Sequence, residues 1–117
     1  MVERVKREKT SLSVAGIGEQ VGAALHRFQR SLFERALEYR AANTFEVETL
    51  DELIAHFRER NGFVWAPWCG DAACEARVKE ATGGVTTRNY VPHTEVSGKC
   101  LVDGKPATRR IAFARSY

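Results

Sequence analysis

Cysteine is scarce in this chain, and long apolar runs are missing. Three cysteines occur in 117 residues, an odd number that disfavours a disulfide framework. No stretch approaches the ~20 apolar residues that span a bilayer. The opening MVERVKREK is charged where a secretory signal would be apolar. These absences point to the cytosol, where thiols stay reduced and clustered cysteines serve metal binding or catalysis. Glycine-rich phosphate loops, internal repeats and low-complexity tracts are absent as well. Histidine is equally thin. His26, His56 and His93 lie far apart, and the carboxylates fall mostly on helix faces, so no triad or acid–base pair is legible. Bottom-up, the chain reads as an accessory domain rather than a whole enzyme.

The length suits one small domain with a modest core. Hydrophobic residues at 44% and charged residues at 28% are ordinary for a soluble globular chain, so composition selects no special class. Net charge is +3, which does not require a nucleic-acid partner. Both ends are basic, MVERVKREK and KPATRRIAFARSY. Solvated termini are the default reading and contact with a phosphate backbone is the sharper one.

The pattern predicts an α+β domain, with a long N-terminal helix and two shorter helices on a small mixed sheet. From about Glu19 to Ala42, Val21, Leu25, Phe28, Leu32, Ala36 and Tyr39 recur at helical spacing between charged residues. An ordinary core stripe is the expected use of that face. FEVE, from Phe45, alternates like a strand. Thr49 and Glu52 then form a capping box, with Leu50, Leu53, Ile54 and Phe57 on one helical face and Asn61-Gly62 as the stop. GFVWAPW is a strand candidate leading to Cys69. Asp71 caps a short helix to Glu80 that turns Val78 and Ala81 inward, and Gly83-Gly84 ends it. VTTRNYV is β-branched and strand-like. A loop, a tight turn at Asp103-Gly104 and a final strand RRIAFARSY complete the order.

The chemistry lies with the cysteines. Trp68-Cys69-Gly70 looks like the start of a thioredoxin redox site, but the next cysteine is Cys74. C-x4-C is too wide for a redox turn and falls within the range of a metal-binding loop. Too few residues follow Cys74 to complete a thioredoxin-like sheet. The second group, GKCLVDG, has the form of half a zinc ribbon, C-x-x-C-G, with Asp103 where the second cysteine would stand. Gly104 keeps the positive φ that such a knuckle needs. Cys69, Cys74, Cys100 and Asp103 therefore form a candidate zinc site, since an aspartate oxygen can ligate zinc. His93 is a rival for the fourth position, and three reduced thiols without metal are the bland alternative. A closed set of this kind is structural, with no open catalytic position.

Four stretches carry a resemblance: FQRSLFERALEYRAANTFEVETLDELIAHF, GFVWAPWCGDAACEARVKEATGGVTTR, GKCLVDGKPA and the terminal IAFARSY. Together they resemble the C-terminal domain of prolyl-tRNA synthetases of the archaeal and eukaryotic type, which some bacteria also carry. The resemblance runs from about Val21 to Tyr117. It implies an appendix of a class II synthetase, a cytoplasmic homodimer that uses ATP and magnesium to activate proline and charge tRNA(Pro). In that family the appendix often binds zinc through four cysteines, and the terminal tyrosine, here Tyr117, is held near the active site. Asp103 replaces the fourth family cysteine, and Pro67 stands where histidine is frequent. The class II catalytic motifs and the anticodon-binding fold are not in these residues. The expectation is that they lie upstream of Met1, with residues 1–20 as the tail of the anticodon-binding domain and 21–117 as the C-terminal domain. The other reading is a stand-alone zinc or tRNA-backbone binding module without catalytic activity.

Overall fold

The structure is a computed structural model that describes residues 1–2, 7–92 and 96–116. It divides into two compact units, Met1–Ala42 and Asn43–Tyr117, and each is considered by itself.

The first unit is dominated by α1, Ile17–Ala42. Alanine, leucine, glutamate, glutamine and arginine fill it, and these are strong helix formers that need no tertiary partner to favour the helix. The helix runs unbroken through residues 20 and 21. Among the apolar positions expected to form a core stripe, Val21, Leu25, Leu32 and Tyr39 are exposed, and only Ala24 of α1 is buried. No described helix is long and apolar enough to cross a membrane.

The second unit has the expected α+β class. Strands β1 (Thr44–Glu46), β2 (Phe63–Trp68), β3 (Val85–Tyr90) and β4 (Arg109–Arg115) make one mixed sheet in the order β1-β2-β4-β3. β1 and β2 are parallel, a pairing that needs a crossover, which α2 (Leu50–Glu59) supplies. β4 runs antiparallel to both β2 and β3. The last strand of the chain is thus central, inserted between two earlier ones.

Local chemistry explains the helix limits. Thr49 caps α2, its hydroxyl accepting from the Glu52 N–H, while the Glu52 carboxylate accepts from the backbone N–H groups of Glu48 and Thr49. The capping box read from sequence is therefore present. Asp71 caps α3 (Ala72–Thr82) through the Ala73 N–H at 2.9 Å. Gly83, in the left-handed region, closes its far end. α3 runs two residues further than expected, and its buried row is Cys74, Val78 and Thr82. Val78 is inward as expected, but Ala81 is exposed. Ala81 lies seven residues after Cys74, on nearly the same side of the helix, so its exposure follows from what covers the last turn of α3 and not from helical spacing.

Helices α2 and α3 bury Leu53, Phe57 and Val78 against Val64, Ala66, Val85, Ile111 and Phe113 of the sheet. Arg115 ties this layer together. Its guanidinium donates to the Thr82 carbonyl at 2.9 Å and the Phe57 carbonyl at 3.4 Å, groups near the C-terminal ends of both helices that have few intrahelical partners. Arg110 straps the opposite edge, reaching Glu48 at 2.7 Å and the carbonyls of Val47 and Trp65.

His56 is the structural histidine of α2. Its ring lies 4.6 Å from Phe45 and 5.2 Å from Phe57, centroid to centroid, and its Nε2 is buried without a hydrogen-bond partner. Burial, and then the nearby Arg60 charge, push its pKa below 6.5. The unfolded chain therefore takes up the proton at a higher pH than the folded one. His56 leaves stability intact above about pH 6.5 and reduces it as pH falls through that value towards its lowered folded pKa. Urea midpoints of the parent and His56→Phe at pH 7.5 and 5.5 check this. The parent should lose more stability on acidification than the variant, and equal losses would show that His56 is not responsible.

Candidate metal centre

Two loops at one end of the sheet build the site. The first leaves β2 after Trp68 and carries Cys69, then Gly70 at φ 95°, before Asp71 caps α3. Cys74 follows in the first turn of that helix, buried among core residues. The second loop is the turn at 100–105. The Cys100 N–H donates to the Lys105 carbonyl at 2.7 Å, and the Gly104 N–H to the Cys100 carbonyl at 3.2 Å. Gly104 has φ 71°, the left-handed backbone expected of the knuckle, which a side chain would disfavour. The Leu101 N–H reaches the Pro67 carbonyl at 3.1 Å, and the Thr108 N–H reaches the Trp68 carbonyl at 2.9 Å. Backbone hydrogen bonds thus fix the second loop against the strand that delivers the first.

The consequence is convergence. One ligand atom from each of Cys69, Cys74, Cys100 and Asp103 lies within 4.8 Å of the others. Cys69 Sγ is 3.5 Å from Cys74 Sγ and 3.8 Å from Asp103 Oδ2. A tetrahedral ion with zinc-like bond lengths separates its sulfur and oxygen donors by roughly 3.5–3.8 Å, so the donor set and its spacing fit zinc. Cys74 and Cys100 are buried, and Cys69 is half-buried. All four candidate donors come from the chain, the number that a closed structural site uses.

The electrostatics show what the cluster does with its protons. Burial pushes the Cys74 thiol far up, and its contacts with Cys69 and Asp103 push it further, so without a cation this sulfur keeps its proton. Burial also acts to raise the Asp103 carboxyl, but hydrogen bonds from the Lys105 backbone and ammonium, then from Cys100 and Cys74, reverse this. The carboxyl ends well below the usual range. Asp103 is thus ionised and ready to ligate. The Lys105 N–H donates to Oδ1 at 3.1 Å, and its ammonium lies 3.2 Å from Oδ2. A cation held here would need the thiols deprotonated and would share Asp103 with Lys105.

All four residues of the ligand set read from sequence are therefore brought together. His93 and Tyr117, the rival ligand and the proposed active-site support, lie outside the described residues. Sequence reasoning missed Lys105. The signal was present in D-G-K, since a lysine two residues after a carboxylate in a tight turn folds back onto it. The lysine also meets Asp71 at 3.8 Å, an exposed contact of little energetic weight.

Known proteins are similar to the chain along its whole length. The family profile described as "Prolyl-tRNA synthetase, C-terminal" matches residues 50–117. Similar curated proteins include the proline–tRNA ligase of Symbiobacterium thermophilum, 42% identical over the whole of this chain and 25% of that protein. The proline–tRNA ligase of Lachnoclostridium phytofermentans is 32% identical, again over the whole chain and 24% of the relative. Among solved structures, the prolyl-tRNA synthetase of Cryptosporidium parvum complexed with L-proline and AMP superposes with a TM-score of 0.84 at 25% identity, over 99% of this chain and 25% of that one. The chain spans about a quarter of the length of these relatives. With the family profile matching more than half of its residues, the chain belongs to the prolyl-tRNA synthetase C-terminal domain family.

Proposed function

We propose that the chain serves as the C-terminal appendix of a proline–tRNA ligase, the enzyme that uses ATP and magnesium to join proline to tRNA(Pro) in the cytoplasm. The observation that carries this reading is the match of its whole length to about a quarter of the length of proline–tRNA ligases, with residues 50–117 matching the C-terminal family profile. Its partners are then the catalytic and anticodon-binding parts of the same polypeptide, in a homodimer of the archaeal and eukaryotic type. Residues 1–20 are read as the tail of the anticodon-binding part, and Tyr117 as a support held near the active site. Cys69, Cys74, Cys100 and Asp103 hold zinc. The metal clamps the two loops against the end of the sheet and supplies no chemistry to the reaction.

Two measurements test the reading. The 117-residue chain should show no proline-dependent pyrophosphate exchange, and measurable exchange would overturn the appendix role. Substituted for the matching quarter of the Symbiobacterium thermophilum ligase, it should preserve most of the tRNA-charging activity that deleting that quarter removes. A chimera no better than the deletion would count against it.

A further inference from the structure

We propose that Cys69 and Cys74 are an oxidative modification site. A peroxide converts them to a disulfide, and the metal leaves as it forms. The metal-release part rests on the zinc reading above, whereas the disulfide does not.

Accessibility singles out Cys69, and Cys74 lies within reach of it. Their sulfurs are 3.5 Å apart. Cys69 is half-buried and open to a small oxidant, whereas Cys74 and Cys100 are buried. Cys69 and Cys100 differ in tether. Cys69 is followed by Gly70, at φ 95° with only the Thr108 hydroxyl near where a side chain would begin. Cys100 is held in its turn by hydrogen bonds at both its N–H and its carbonyl. Closing the gap to bonding distance therefore moves the Gly70 loop towards α3 and leaves the knuckle in place.

The chemistry balances with hydrogen peroxide as the oxidant. The Cys69 sulfur attacks one peroxide oxygen, the O–O bond breaks, and water leaves with a sulfenic acid at Cys69. That first water carries off the Cys69 thiol proton; the Cys74 sulfur then attacks the Cys69 sulfur and expels the sulfenic hydroxyl, which leaves as a second water with the Cys74 thiol proton. The two cysteines together lose two electrons and two hydrogens, and the peroxide gains them. Asp103 is prepared for the loss of the ion. Its Oδ2 already faces the Lys105 ammonium at 3.2 Å, so the carboxylate keeps a cation beside it when the metal departs. With both sulfurs of one loop oxidised, only Cys100 and Asp103 remain as ligands, too few for a closed zinc site.

The test treats the zinc-loaded chain, and in parallel the chelator-stripped chain, with hydrogen peroxide. Intact mass, disulfide mapping and a chromogenic zinc chelator are the readouts. The expected result is loss of two hydrogen masses, a Cys69–Cys74 link, one zinc released per link, and recovery of both on adding a thiol reductant. Cys74→Ser should abolish the link and leave oxygen added at Cys69. Cys100→Ala should still form the link in the stripped chain, with circular dichroism confirming that both variants are folded. A link through Cys100, or oxygen addition without hydrogen loss in the parent, overturns the proposal. A stripped chain that forms the link, from a protein that never retains zinc, supports the disulfide and overturns the zinc reading instead.

Discussion

One zinc per chain is the expected result when the protein is purified without chelator and its metal content is measured. Cys69→Ser should lose that metal, and Asp103→Cys should hold it more tightly. The expectation follows from convergence. Four donors brought within 4.8 Å by two hydrogen-bonded loops give the ion a site that is largely assembled before it binds. Structural zinc sites release on the order of 10–16 kcal/mol at neutral pH. Shared over four ligands, loss of one donor then weakens binding by roughly a hundredfold or more. Asp103→Cys replaces a carboxylate oxygen with a softer thiolate and removes the anion that Lys105 pairs with at 3.2 Å. The thiolate favours zinc. The melting temperature should rise with zinc in the parent and fall on chelation, because the ion binds only the folded arrangement. A parent without zinc beside an Asp103→Cys variant that binds it would show that packing of Cys74 and Cys100 alone now holds these loops.

Phe113→Ala is expected to bring the second unit close to unfolding. Phe113 is fully buried and stands among the largest such side chains. It sits on β4, the strand that pairs with both β2 and β3. Removing a buried phenyl ring costs about 3–5 kcal/mol, part of it from the cavity left behind. A small domain has only about 5–15 kcal/mol in total. The effect should exceed that of an equally drastic truncation on α1. Leu25 is 62% exposed, so Leu25→Ala should shift stability by no more than about 0.5 kcal/mol. Urea unfolding of both variants, followed by circular dichroism, measures the difference. Equal midpoints would mean that the sheet core is not where the stability of this chain resides.

The sequence by itself determined the features that are local along the chain. Thr49 with Glu52, and Asp71 before α3, act over two to four residues, and the starts of α2 and α3 were legible for that reason. Gly83 ended α3 as expected, and Gly104 kept the knuckle turn where its second cysteine had become Asp103. The order of helices and strands followed from the same short-range signals, as did the choice of the four candidate donors that the fold brings together.

Only the tertiary structure decided what depends on which strand lies beside which. Nothing in RRIAFARSY states that it inserts between β2 and β3, because that choice rests on burial and pairing with distant residues. The insertion brings the turn at 100–105 beside the loop at 69–74, and only there does Lys105 meet Asp103 and Asp71 together. Arg115 closing the ends of two helices, and Ala81 turning outward while Cys74 and Thr82 turn in, belong to the same class. The exposure of the α1 stripe was also beyond the sequence. Periodicity shows that a face is apolar, whereas what covers it is a property of surfaces brought together by folding.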